Sequence, residues 1–339
     1  MAAQSEPLPK KNFLVRFFNM NTSGSNDAGE KLPLWRQLVI QAVCLLILIE
    51  VMFPIMYVIT LSLSSQSSRP SSLELFPKEV SFVAYAEVLD RPTANPVTFI
   101  QLLKNSFVLS IGVGLASLLV AVTAAYAFSR FKFKLRQVLM IMVFIPLLMP
   151  GVGLSTPLFL LLNNFRIIDC GAGTLAVAPF MACDPGVTAK IIANLRDSLW
   201  GVGIAMIAGA LPFAVWNLKG YLDTIPKDLE EAASIDGCDA NQTFFRIVLP
   251  LAVPQLVVTF FLGFIGHWQE FVMPWLFLTK PESYTLAMTL YNMTGQYANA
   301  IPWNRFSAMA IIVAMPVAIV YILLQKQIVS GLTAGGVKG

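Results

Sequence analysis

Hydrophobic and polar residues fall in long blocks along this chain rather than in the short periods of a soluble fold. Six blocks of roughly 20 or more mostly apolar residues stand at 37–63, 105–128, 138–162, 199–217, 251–279 and 306–325, each long enough for a helix that crosses a bilayer. A seventh apolar piece, GTLAVAPFMA at 173–182, is too short to cross and is read as interfacial or folded within a loop. The pattern predicts an all-α integral membrane protein with six transmembrane helices.

Six crossings bring the chain back to its starting side. Segments 1–36, 129–137, 218–250 and 326–339 then share one face and carry 14 of the 23 Lys and Arg residues. Loops 64–104, 163–198 and 280–305 share the other face. The sharpest marker is SRFKFKLRQ at 129–137, which has four bases and no acid. Short basic loops stay in the cytoplasm, so both termini and the 218–250 segment are expected there. Within 1–36, KKNFLVRFFNM at 10–20 either rests on the inner leaflet as a basic amphipathic helix or stays disordered.

Composition agrees with a lipid setting. The chain is 56% hydrophobic and 12% charged, where soluble domains carry about a quarter charged residues. A dispersed net charge of +4 gives no footprint for nucleic acid. The sequence contains no G-x-x-x-x-G-K-[ST], hence no phosphate-cradling loop of its own. His267 is the single histidine and has no nucleophile or base at a useful spacing. No catalytic site, metal cluster or cofactor is expected in this chain. Of four cysteines, Cys170 and Cys183 fall together in the 163–198 loop, where an oxidising exterior would allow a disulfide.

One polar segment carries regular helix punctuation, IPKDLEEAASIDGCDANQTFFRIVLP at 225–250. Pro226 suits the first turn of a helix, and Asp228, Glu230 and Glu231 place negative charge at its positive end. Ala232 and Ala233 give a small, flat face. Asp236-Gly237 suits a left-handed C-terminal cap, and Asp239 with Gln242 three residues on reads as a capping box for a second helix. Phe244 and Leu249 contribute an apolar face, and Pro250 and Pro254 are expected to close that helix before the fifth span. The expected object is a stiff helix–turn–helix knob at 226–250 with exposed aromatics. A solvated connecting loop with ordinary caps remains the alternative on these residues alone.

The segment also resembles the signature of membrane subunits of binding-protein-dependent ABC importers. The matching residues are Glu231-Ala232-Ala233-Ser234-Ile235-Asp236-Gly237, followed by Phe244 to Pro250. AAYAFSRFKF at 124–133 and LPFAVWNLKGYLDTIPKDLEEAA at 211–233 are similar to sugar-importer permeases of this class, and SYTLA at 283–287 and SGLTAGGVKG at 330–339 to its maltose/maltodextrin branch. The resemblance implies that the knob is a coupling segment docking in a cleft of an ATPase subunit. It implies that ATP and Mg are bound by an ATPase dimer rather than by this chain. It further implies a second permease subunit, an extracytoplasmic sugar-binding protein, and a bacterial inner membrane. The tail residues Gly335, Gly336, Val337 and Lys338 would contact the ATPase subunits, or else form a frayed terminus. Residues 170–196 depart from the pattern as an insertion in the second outer loop.

Polar residues inside the apolar blocks complete the candidates. Glu50 in the first block should face protein or water. HWQEF at 267–271 brings Trp268, Gln269 and Glu270 into the fifth block, as a sugar path in which a ring stacks and an amide bonds hydroxyls, or as helix–helix contacts. The competing functions are a stand-alone solute channel and an ion-coupled carrier, which would work without ATP.

Overall fold

The computed structural model describes residues 34–68, 75–77, 79–149, 151–170, 175–178, 190–295 and 301–336. The chain divides into a unit Met1–Pro54 and a unit Ile55–Gly339. The described part of the first unit lies in helix α1, Leu34–Ser62, and Glu50 is exposed on it. The basic stretch at 10–20 lies outside the described residues.

The second unit follows as α2 (Val83–Asp90), α3 (Phe99–Arg130), α4 (Arg136–Phe144) and α5 (Gly151–Asn163). After these come α6 (Leu199–Leu222), α7 (Asp228–Ile235) and α8 (Ala240–Gln269). The chain then forms α9 (Val272–Phe277), α10 (Leu286–Asn292) and α11 (Trp303–Gly336). Five described helices are long and apolar enough to cross a membrane, and a bent pair brings the count to six.

Two expected spans change shape. The block at 138–162 is not one rod: Arg136–Leu148 and Gly153–Leu162 meet at 108°. A 3-10 turn at Ile145–Leu148, with Pro146 at its start, ends the first half, because proline cannot give its nitrogen to the preceding turn. The block at 251–279 stops at Gln269, and α9 follows as a separate short helix. Glu270 causes the break by turning its Oε1 to accept the N–H groups of Val272 (2.7 Å) and Met273 (3.1 Å). At the other end α8 begins earlier than expected, since Pro250 and Pro254 lie inside it instead of closing a separate helix. Residues Phe244–Val248 widen into a π-helical turn just before Pro250, with Leu249 N–H donating to Phe244 O. That wider turn absorbs the hydrogen bond the proline cannot make.

Helices α3, α6 and α8 form the centre. At the end bearing 226–250, Ala121, Ala125, Val215, Leu218, Phe244 and Val248 share one buried cluster. Toward the far end a second gathers Leu109, Val113, Val202, Met206 and Phe277, and a third Leu102, Phe264, Trp268, Leu286 and Met309. Small residues permit the close approach: a Cβ on Gly114 would sit 3.1 Å from the Phe260 ring. A Cβ on Gly201 would fall 2.0 Å from Leu195 O, so only glycine lets α6 start beneath that loop.

The second far-end loop adds a feature absent from the all-helical expectation. Strands β1 (Arg166–Asp169), β2 (Leu175–Ala178) and β3 (Lys190–Asn194) form an antiparallel sheet in the order β2-β1-β3. Arg166 pairs with Ala178 on one side and Asn194 on the other, with a register irregularity at Ile167/Ile168. The short apolar piece at 173–182 thus supplies β2 within the 170–196 insertion. Cys170 is disulfide-bonded, and Cys44 and Cys238 are free. Cys183, its expected partner, lies outside the described residues.

Candidate functional site: a capped knob and its anchor

Local chemistry builds the knob much as the sequence spelled it. Lys227 occupies the N-cap position of α7 without a side-chain capping bond, so Pro226 stands just before the helix rather than in its first turn, and Asp228, Glu230 and Glu231 occupy that turn. At the other end Gly237 has φ +88°. Cys238 N–H donates to Ala233 O (2.9 Å) and Gly237 N–H to Ser234 O (3.2 Å), the paired bonds of a left-handed glycine cap. Asp239 accepts from Gln242 N–H at 2.7 Å, and the Gln242 side chain accepts from Asp239 N–H at 3.2 Å, which completes the capping box.

The faces divide by burial. Ala233 is buried, whereas Glu231, Ala232, Asp236 and Gly237 are exposed and Ile235 is 87% exposed. Of the aromatics, only Phe245 is exposed. Phe244 turns inward and packs against Tyr126 of α3 at 4.7 Å between ring centroids. Leu249 is half-buried beside the same cluster and Pro250 is exposed.

Side chains from α3 and α6 fix the knob, an arrangement the sequence reading did not foresee. Arg130, one of the bases in SRFKFKLRQ, has a side chain 7% exposed and reaches Glu230 Oε1 at 2.5 Å. Its other nitrogens donate to Ile225 O (3.1 Å) and Ser129 Oγ (3.0 Å). Ser129 in turn donates to Asp223 Oδ1 (2.6 Å), Lys219 Nζ lies 2.5 Å from Asp223 Oδ2, and Tyr126 OH donates to Glu230 Oε2 (3.3 Å). Burial pushes the Asp223 carboxyl up, but hydrogen bonds from Lys219 and Ser129 and the nearby charges of Lys219 and Arg130 outweigh it and hold the group below the usual carboxylate range. Arg130 lies within the basic loop expected at 129–137, and its acidic partner stands 100 positions further along the chain.

The far end has a matching set. Asn105 of α3 donates to Glu282 O (2.7 Å) and Tyr284 O (2.9 Å), and Ser106 Oγ accepts from Leu286 N–H (2.8 Å). Asp197, with φ 59°, accepts from Thr279 N–H (2.7 Å) and Lys280 N–H (3.1 Å). Those two backbone bonds, with the Lys280 charge, overcome the effect of burial and lower the Asp197 pKa.

The candidate path residues separate. Trp268 is buried among Phe107 and Phe264 and donates its Nε1–H to Val313 O at 3.0 Å. Gln269 is exposed at a cleft of about 540 Å³ between α8 and α11. Glu270 caps α9 and lines a second cleft, of about 530 Å³, with His267, Gly266, Ala210 and Met206. His267 Nε2 is buried without a hydrogen-bond partner among the described residues. Between the spans, Gln255 donates to Asn217 and Asn217 to Thr259 (2.8 and 3.4 Å). Gly335 and Gly336 end helix α11, so most of the 330–339 tail continues the last span. Val337 and Lys338 lie outside the described residues.

Known proteins share this fold. Residues 117–333 match the family described as binding-protein-dependent transport system inner membrane component. A galactooligosaccharides transport system permease protein of Bacillus subtilis is 34% identical over 289 residues, covering 85% of this chain and 91% of that protein. A maltose/maltodextrin transport system permease protein of Photorhabdus laumondii is 31% identical over 319 residues, covering 90% and 97%. Among solved structures, a chain of a bacterial ABC transporter involved in the import of the acidic polysaccharide alginate has the same fold, with a TM-score of 0.64, 20% identity and coverage of 88% of this chain and 99% of that one. With the family match running from the middle of α3 through the capped knob into α11, the chain belongs to the binding-protein-dependent transport system inner membrane components.

Proposed function

We propose that this chain is a non-catalytic permease subunit of an ATP-driven oligosaccharide importer and forms half of a translocation path in a bacterial inner membrane. The exposed face of α7, closed by the Gly237 cap at its C-terminal end, carries this reading. A short helix showing Glu231, Ala232 and Ile235 to solvent while Ala233 and Glu230 are tied inward is a preformed plug for a groove. The groove belongs to an ATPase subunit, which with its twin binds ATP and Mg. The other partners are a second permease subunit and an extracytoplasmic sugar-binding protein. Both termini and the knob face the cytoplasm, and the tail from Gly335 to Lys338 reaches toward the ATPase pair. Alternating access follows when ATPase closure moves the knob and the long helices tilt with it.

The sugar proposed is maltose or a maltodextrin, supported by SYTLA at 283–287 and the tail, and by the Photorhabdus relative. A galactooligosaccharide is the second reading, favoured by the 34% identity to the Bacillus permease. The test is uptake of labelled maltotriose and of a labelled galactooligosaccharide into proteoliposomes holding the chain with its partner permease, ATPase and binding protein. Maltotriose uptake that needs both ATP and the binding protein is the expected result. Uptake of the galactooligosaccharide alone selects the second reading. Uptake by this chain without ATP refutes the importer assignment.

A further inference from the structure

Helix α3 is held by polar clamps at both of its ends. At the knob end the Arg130 guanidinium binds Glu230, Ile225 O and Ser129 at once. At the far end Asn105, 4% exposed, and Ser106 hold the backbone of Glu282, Tyr284 and Leu286. The two clamps stand 25 residues apart on one unbroken 32-residue helix, about 38 Å at 1.5 Å per residue. The covalent routes between the same two regions are softer. From α7 the chain enters α8 through the Gly237 turn, and α8 widens into a π-helical turn at Phe244–Val248 before it ends at the Glu270 break. Helix α7 joins α6 through the turn at 223–227.

We propose that α3 is the transmission rod of this subunit, carrying displacement of α7 to the 280–286 loop, with Arg130 and Asn105 as positioning residues at its two joints. The proposal rests on the importer reading above, because it needs an ATPase to move the knob and a far-side event to answer it. A buried, charge-assisted fork resists rotation as well as separation, so a tilt of α7 must tilt the end of α3. The Asn105 side-chain amide donates to two carbonyls of the loop backbone, Glu282 O and Tyr284 O, so the loop follows the far end of α3.

A double-mutant cycle tests this on the assembled transporter, reading the stimulation of ATP hydrolysis by the sugar-loaded binding protein. Arg130→Gln and Asn105→Leu each are expected to keep the ATPase subunits bound and to reduce that stimulation about tenfold, the scale of losing one or two charge-assisted or buried hydrogen bonds. The double variant is expected to be no worse than the weaker single, since a rod freed at one end transmits nothing through the other. Sites this far apart that act independently add in free energy, so multiplied losses in the double variant would overturn the proposal, as would full stimulation in either single. Should a larger change prevent assembly, Ser129→Ala and Ser106→Ala repeat the cycle with one hydrogen bond removed from each joint. Failure of the wild-type subunit to retain an ATPase would overturn the importer reading instead, which keeps the two failures distinct.

Discussion

Replacing Gly237 isolates the backbone contribution of the knob, because the structure leaves nothing else to change. A Cβ built at Gly237 meets no atom within 4 Å, while its φ of +88° lies where L side chains are disfavoured. The cost of Gly237→Ala is therefore conformational, about 1–2 kcal/mol for a left-handed residue. That lowers the ratio of closed to open turns by about 5- to 30-fold and loosens the bonds from Cys238 to Ala233 and from Gly237 to Ser234. Gly237→Asn should cost less, since its short polar side chain tolerates this region. Gly237→Pro should cost most, because it fixes φ near −65° and removes the N–H that bonds Ser234. Uptake in the reconstituted transporter should fall in the order Gly, Asn, Ala, Pro, with subunit abundance in the membrane unchanged. Equal losses for Asn and Ala would point to a steric effect on the docking face, and normal uptake by the Pro variant would refute a coupling role for this turn.

Other outcomes follow from burial and charge. Phe244→Ala empties a buried ring position against Tyr126 and should destabilise the detergent-solubilised protein by about 3–5 kcal/mol, seen as a lower melting temperature, while Phe245→Ala, at an exposed ring, should leave melting unchanged and weaken ATPase retention. Asp223 has a lowered pKa, so its contribution to anchoring is complete above the ordinary carboxylate value near 3.9 and is lost only as pH falls through the still lower folded value. Protease resistance of the 223–240 region should accordingly stay flat from pH 8 to about 5 and decline below about 4, whereas a decline already complete at pH 6 would contradict the assignment.

The sequence was most legible where physics is local. The alternation of apolar blocks found the long helices, and cap chemistry at Asp236-Gly237 and Asp239/Gln242 placed the knob to within a residue or two. Prolines misled in both directions: Pro250 and Pro254 lie inside α8, with a π-helical turn just before Pro250, while Pro146 contributes to a 108° bend inside an apparently continuous block. The sheet at 166–194 escaped because LAVA and KIIAN are short apolar runs whose pairing depends on partners distant in sequence. The anchor was equally invisible, since nothing near Arg130 in the chain announces Glu230 as its partner. Within HWQEF the residue types drew attention to Trp268, but helical phase turns that ring into the core and leaves His267, whose Nε2 has no partner among the described residues, beside the cleft.

Cys238 gives the most direct test of the central claim, that a capped knob on the cytoplasmic side takes force from an ATPase. Its thiol is free and the residue is half-buried, while its backbone N–H closes the cap of α7 by donating to Ala233 O. With Cys44 replaced by alanine, a membrane-impermeant maleimide is applied to intact cells and to inverted vesicles, with and without the ATPase subunits. The account predicts no labelling of Cys238 in cells, labelling in inverted vesicles stripped of ATPase, and protection when the ATPase is restored. Labelling of Cys238 from outside intact cells would contradict it.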